Sequence, residues 1–238
     1  MTLSVNTVPA IDVLAIQELP AGRAGVWFLN WKIITLPLCE RKKFDQTTFS
    51  GAGLYAISFD DKLIYIGSFL GSDKSGVNFL GDVVSTRWWA HIGAITSRGH
   101  RVNIARSSLK SLMVNLGVEH LMVKGFMDAL DVEKLHKGDG DLSPLRRLQF
   151  AAQNSVDFFS SNTNPIQILS RFTFVYARFQ SLPANSSPIS LRMHIELAEN
   201  ALIQRYAPIC NTKHVPRSKD PIEIELINIP DILHNALK

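Results

Sequence analysis

The sequence predicts an α/β chain of the α+β kind. A small central antiparallel sheet is flanked by helices, with an N-terminal extension and a helical insertion. Three observations predict it. Gly53 to Gly67 reads GLYAISFDDKLIYIG, two strand-like runs around the turn chemistry of Asp60-Asp61, and so a β-hairpin. Arg171 to Phe179, RFTFVYARF, alternates over much of its length and is the clearest later strand. Between and after these strands, apolar residues recur at helical spacing.

The elements follow in order. Residues 1–50 form an extension ahead of the hairpin. Within it, Val26-Trp27-Phe28-Leu29 and the run from Lys32 to Leu36 read as short strands, or a strand and a turn, and Pro37 ends the second run. Arg41-Lys42-Lys43 reads as a solvated surface run before it reads as a phosphate contact. Phe69 to Gly81, rich in Gly, Ser and Asp, is a loop. Asp82 or Ser85 then caps a helix through about Thr96, which carries Arg87-Trp88-Trp89-Ala90-His91. Arg87 and His91 are four apart and share one helical face. Residues 107–169 read as an insertion with helical spacing over Leu109–Leu116, Glu119–Leu135 and Leu145–Phe159. Ile189 to Tyr206 is a helix ended by Pro208, and Ile222 to Ile227 is strand-like. The core is therefore expected over residues 51–106 and 170–228.

Bulk properties narrow the class. A chain of 238 residues with 46% hydrophobic content can bury a sizeable core. The net charge of +4 is compatible with nucleic acid without establishing it. Cys39 and Cys210 make neither a disulfide framework nor a zinc site, so a reducing compartment is the default. The N-terminal stretch lacks a basic start, and Asp12 breaks its apolar run. No apolar stretch reaches the ~20 residues that span a bilayer. The expectation is a cytoplasmic protein with no membrane partner.

One residue stands out in the later helix. Glu199 has Ile195 four before it and Leu202 and Ile203 three and four after it. A carboxylate on an apolar face is costly unless it is paired or metal-bound. Taken alone, Tyr55 and Tyr65 read as cross-strand packing residues, and Trp88 and Trp89 as core or interface.

As a set, these residues resemble the GIY-YIG nucleases. Gly53-Leu54-Tyr55 resembles the first signature triplet, with leucine in place of the usual isoleucine, and Tyr65-Ile66-Gly67 is the second triplet intact. Arg87 resembles the family's catalytic arginine and His91 a histidine found in several branches. Glu199 resembles the metal-binding glutamate, and Pro208 and Asn211 the proline and asparagine that close its helix. The chain departs from the pattern in a short spacing between the triplets, a longer one from Tyr65 to Arg87, and the insertion over 107–169.

The resemblance implies hydrolysis of phosphodiester bonds in DNA with one Mg²⁺ (or Mn²⁺) per active site. Tyr55 is the expected base, Tyr65 orients water or binds phosphate, and Glu199 holds the metal, which keeps several waters. Tyrosine ionises near pH 10 in model peptides, so phenolate needs nearby cations. Arg87 presents a fork to phosphate oxygens, and His91 bonds a tyrosine or moves a proton. Gly53, Gly67 and Asn211 are expected to shape the site. Arg98, His100, Arg101, Lys213 and Arg217 are candidate DNA contacts, each also readable as a plain loop or tail donor. No DNA-binding module or zinc-binding domain is expected after the core, which favours a restriction-like or defence nuclease. Duplex cleavage by one site per chain implies a homodimer or sequential nicking. A structure-specific or single-strand nuclease of repair or of a mobile element is the alternative. A non-catalytic nucleic-acid-binding module is the third reading.

Overall fold

The computed structural model describes residues 2–18, 31–41, 43–72, 77–96, 114, 145–159, 164–216 and 219–238. They fall into two units: Met1–Leu14, Thr35–Trp89 and Leu169–Lys238 form the first, and Ala15–Ile34 with Ala90–Ile168 the second. The fold is mixed α and β with an antiparallel sheet, as expected.

The first unit is built on four strands. They are β1 (Leu3–Pro9), β4 (Gly53–Phe59), β5 (Lys62–Phe69) and β6 (Phe172–Phe179), in spatial order β1-β6-β4-β5. Every pairing is antiparallel. β1 lies inside the expected N-terminal extension, yet it pairs with β6 along its full length, from Leu3 opposite Phe179 to Pro9 opposite Thr173. All seven residues of β4 are buried, which accounts for its nearly continuous apolar run: both of its faces are covered.

The hairpin forms as expected. Asp60 and Asp61 take φ of 50° and 59°, the left-handed pair that a two-residue hairpin turn requires. Aspartate tolerates this region because its short side chain bonds locally. The turn is tied to the start of β6: Asp60 N–H donates to the Arg171 carbonyl, and the Arg171 guanidinium donates to both Asp60 carboxylate oxygens at 2.7 and 2.6 Å.

One face of the sheet carries Leu54, Ala56, Ile66, Val175, Ala177 and Phe179, all buried. Helix α5 (Pro188–Tyr206) covers it with Leu191, Ile195, Leu202 and Ile203. The helix starts at a capping box between Ser187 and Ser190, and Ala207 ends it in the left-handed region. Helix α6 (Ile229–Ala236) adds Ile229, Leu233 and Leu237 to the same core. The strand expected over Ile222–Ile227 does not form. Glu225 makes an isolated bridge to Lys62, and Leu226–Asn228 turns into α6. The four-residue spacing of those three apolar side chains, with Pro230 in the first turn, makes helix the geometry that buries them.

The opposite face carries Tyr55, Phe174 and Tyr176, with Trp88 packed on them. Trp88 stacks on Phe174 at 4.1 Å and 9°, and meets Phe49 and Tyr176 edge-on. Trp88 is core. Its helix is capped at Asp82, whose carboxylate accepts from the Val84 N–H and pairs with the buried Arg41. Val84–Trp88 is a π-helical turn, and α1 (Trp89–Ile95) continues it. Arg41 is therefore a structural cation, not part of a solvated run.

The second unit holds most of β2 (Leu14–Glu18) and β3 (Trp31–Thr35), which pair with each other, with α1 from Ala90 onward, α2 (Leu145–Gln153) and α3 (Ser155–Phe159). The helix expected over Leu145–Phe159 is broken at Asn154, whose side chain donates to the Phe150 carbonyl. Helix α4 (Pro165–Ser170) leads into β6. The helices expected over Leu109–Leu116 and Glu119–Leu135 lie outside the described residues except for Val114, and the strand expected over Val26–Leu29 lies wholly outside them.

Candidate active site

Cross-strand register brings the two tyrosines together. Tyr55 lies opposite Gly67 and Ile57 opposite Tyr65, so both tyrosines stand on one face of the hairpin on either side of Gly67. Their ring centroids are 6.1 Å apart. Gly67 is what permits this. A Cβ there would lie 2.6 Å from both Cζ and the hydroxyl oxygen of Tyr55, and 2.9 Å from Tyr65 Cε1. Gly53 has a different reason: its Cβ would sit 2.1 Å from the Ala177 carbonyl oxygen on β6. Tyr55 is 1% exposed, enclosed by Trp88 and Tyr65, whereas Tyr65 is half-buried. Of the two rings, Tyr65 has the solvent access.

Arg87 lies in the π-helical turn, directly before the buried Trp88, and is exposed. No hydrogen bond or ion pair holds its guanidinium among the described residues. The anchoring of Trp88 thus places the helix, and Arg87 projects from it. π-Helical turns of this kind recur at functional sites.

Glu199 sits on α5, half-buried. Its hydrogen-bond partner is the Ser68 hydroxyl, which donates to Oε2 at 2.6 Å. Ser68 lies opposite Leu54, on the face that α5 covers, so Glu199 meets the edge strand β5 from the side opposite the tyrosine rings. Burial pushes the Glu199 carboxyl above its ordinary range, against the opposing pull of Ser68 and the His214 charge. A divalent cation would add positive charge beside this carboxylate. Among the described residues no group of three or more His, Cys, Asp or Glu gathers around a metal position. One carboxylate nevertheless fits Mg²⁺, which keeps several waters and takes other ligands from phosphate.

Asn211 closes the edge of β5. Its side-chain amide accepts from Ile66 N–H at 2.9 Å and donates to the Ile66 carbonyl at 2.7 Å, standing in for a neighbouring strand. Cys210 N–H donates to the Ile64 carbonyl beside it, and Leu63 N–H donates to the Ile224 carbonyl further along. These bonds fix the backbone on either side of Tyr65 and cover an edge that would otherwise be open.

The structure therefore gathers Tyr55, Tyr65, Gly53 and Gly67 on the hairpin, with Asn211 and Glu199 along its edge. Lys213 is described and exposed, just after Asn211. His91 is half-buried and belongs to the second unit. Arg98, His100, Arg101 and Arg217 lie outside the described residues. Near Glu199 lie Ser68, passed over in the sequence, and His214, read there only as part of the basic tail after Asn211. Ser68 immediately follows the second triplet, but nothing in the sequence says that a helix more than a hundred residues later reaches it. His214, held at φ 63°, is exposed. No family model, curated protein or solved structure matches this chain.

Proposed function

We propose that the chain is a metal-dependent DNA endonuclease of the GIY-YIG type. The observation that carries the reading is the hairpin: two tyrosines overlie a glycine that neither could share with a Cβ, and Ser68 on the other side of the same strand holds the half-buried Glu199 carboxylate of α5. Packing alone does not call for that carboxylate, because burial disfavours its charge more than the Ser68 hydrogen bonds and the exposed His214 favour it.

In this reading, water reaches the tyrosine pair from the Tyr65 side. Tyr55, as phenolate, takes its proton and becomes the neutral phenol, and Tyr65 orients the water. Arg87, exposed and without an ion pair among the described residues, offers a bidentate fork to the phosphate oxygens. Glu199, aimed by Ser68, would hold the cation. When bound, Mg²⁺ stabilises charge on the phosphate and the leaving oxygen. Asn211 holds Tyr65 and Gly67 in register by fixing the residue between them. Within the class, a restriction-like or defence nuclease remains the preferred reading.

Incubating plasmid and linear duplex DNA with the protein and Mg²⁺ tests this. Wild type is expected to cut, and Glu199→Ala to lose cutting while remaining folded. Equal inactivity of both on duplex, branched and single-stranded DNA and on RNA ends the nuclease reading. A discrete ladder from duplex DNA marks sequence specificity. Exclusive cutting of branched or single strands replaces the restriction reading with a structure-specific one.

A further inference from the structure

Arg178 is the most anomalous charged group in the first unit. It lies on β6, is 7% exposed, and makes no hydrogen bond or ion pair among the described residues; its Nε is fully buried without a partner. An arginine carries five donors and keeps its charge, so a buried one without an anion is strongly disfavoured. Its neighbours do not answer that need. The Tyr176 hydroxyl on the same strand face donates to the Gly51 carbonyl instead. Asp45 spends its carboxylate on the Thr47 N–H and hydroxyl.

The backbone of the Gly51 loop lies against the guanidinium. Gly51 has φ 105°, and a Cβ there would come 3.5 Å from Arg178 Nη1. Glycine at this point keeps the backbone of the loop close to the guanidinium without a side chain over it. Register puts the group beside the hairpin site: Arg178 pairs with Gly53, and Tyr176 with Tyr55. Arg178 and Tyr55 therefore share a sheet face, offset by two residues, or about 7 Å along the strand.

We infer that Arg178 is the centre of a phosphate-binding site, and that under the nuclease reading it takes a backbone phosphate neighbouring the one that is cut. A phosphate supplies the planar-fork acceptor geometry that this guanidinium lacks, and negative charge beyond the unbonded attraction of Asp45. The phosphate site stands on Arg178 alone; its placement on DNA rests on the proposed function.

The test has two arms. In the first, melting of wild type and Arg178→Met is followed in phosphate-free buffer and then with inorganic phosphate at matched ionic strength. Phosphate is expected to raise the Tm of wild type in a dose-dependent way and to leave Arg178→Met unmoved. Without phosphate, Arg178→Met is expected to be at least as stable as wild type, because the cation it removes has no partner. A variant that fails to fold or melts lower without phosphate overturns the site, unless the Arg178 Nε resonance of wild type shifts on phosphate titration. An unshifted resonance overturns it in any background. In the second arm, a DNA duplex is bound by Glu199→Ala with and without Arg178→Met. Loss of about one unit of the salt slope of binding is expected on removing Arg178; an unchanged slope overturns the placement on DNA. A phosphate shift without DNA cleavage by wild type keeps the Arg178 site and discards the nuclease reading. Cleavage without a phosphate shift does the reverse.

Discussion

Gly67 and Glu199 show how single residues at this site trade packing against chemistry. Gly67→Ala would force a methyl group into the Tyr55 ring at 2.6 Å, where the burial of Tyr55 leaves no easy retreat. Overpacking of this kind costs about 1–3 kcal/mol. We expect a lower urea midpoint and loss of DNA cutting together; an unchanged midpoint would mean that Tyr55 swings aside freely. Glu199 gives a signed pH prediction. Its carboxyl is raised in the folded state, chiefly by burial. A raised carboxyl contributes stability below its unfolded value, near pH 4.3, and that contribution is lost as pH rises through the folded value. In metal-free buffer, Glu199→Gln should therefore be more stable than wild type at pH 7, with the gain shrinking towards pH 4. Denaturant melts at the two pH values check this. An equal gain at both would assign the effect to packing rather than charge.

At the scale of elements, β5 depends on a side chain acting as a strand. Asn211 satisfies both Ile66 backbone groups in a buried setting. Asn211→Ala leaves two buried polar groups unpaired, at about 1–3 kcal/mol each. We expect a loss of stability of that order, with faster hydrogen exchange at the Ile66 amide. If the Ile66 amide stays protected, another segment has replaced the asparagine. The hairpin turn has a similar tie in the two bonds from Arg171 to Asp60, but that pair is partly exposed and weaker in consequence.

For the whole molecule, the assignment of residues 1–50 matters most. β1 is not an appendage: it pairs with β6 over seven residues and forms the outer edge of the sheet that carries Tyr55. Removing residues 2–9 would strip those backbone bonds and bare the β6 edge, which invites association between chains. The truncated chain is expected to lose cooperative thermal unfolding and to elute as aggregates on gel filtration. A monomer with an unchanged Tm would show that β1 is dispensable. The expected homodimer is a separate matter, checked by the molar mass of the intact chain in solution with and without DNA.

Much of the hairpin was legible in the sequence, because its determinants are local. Asp60-Asp61 supplies the turn and β-branched and aromatic residues supply the strands, but plain alternation would set Tyr65 opposite Ala56, and only the register shift between Ile57 and Ser58 brings Tyr55 and Tyr65 onto one face. The helix that carries Glu199 was legible over Ile189–Tyr206 with its stop at Pro208, whereas its cap at Ser187 fell in a stretch read as loop. β1, α6 and the partners of the functional groups were not. β1 depends on a strand more than 160 residues away, and α6 on a core that exists only once the sheet is covered. The Ser68 partner of Glu199 and the Asn211 brace on Ile66 are contacts across long loops, and that Arg178 meets no hydrogen-bond partner among the described residues is likewise set by the fold. Local sequence determined which residues of this protein form strands, turns and helices around the triplets. Tertiary structure alone decided which charges are paired, because pairing depends on what is buried beside what, and burial is set by the whole fold.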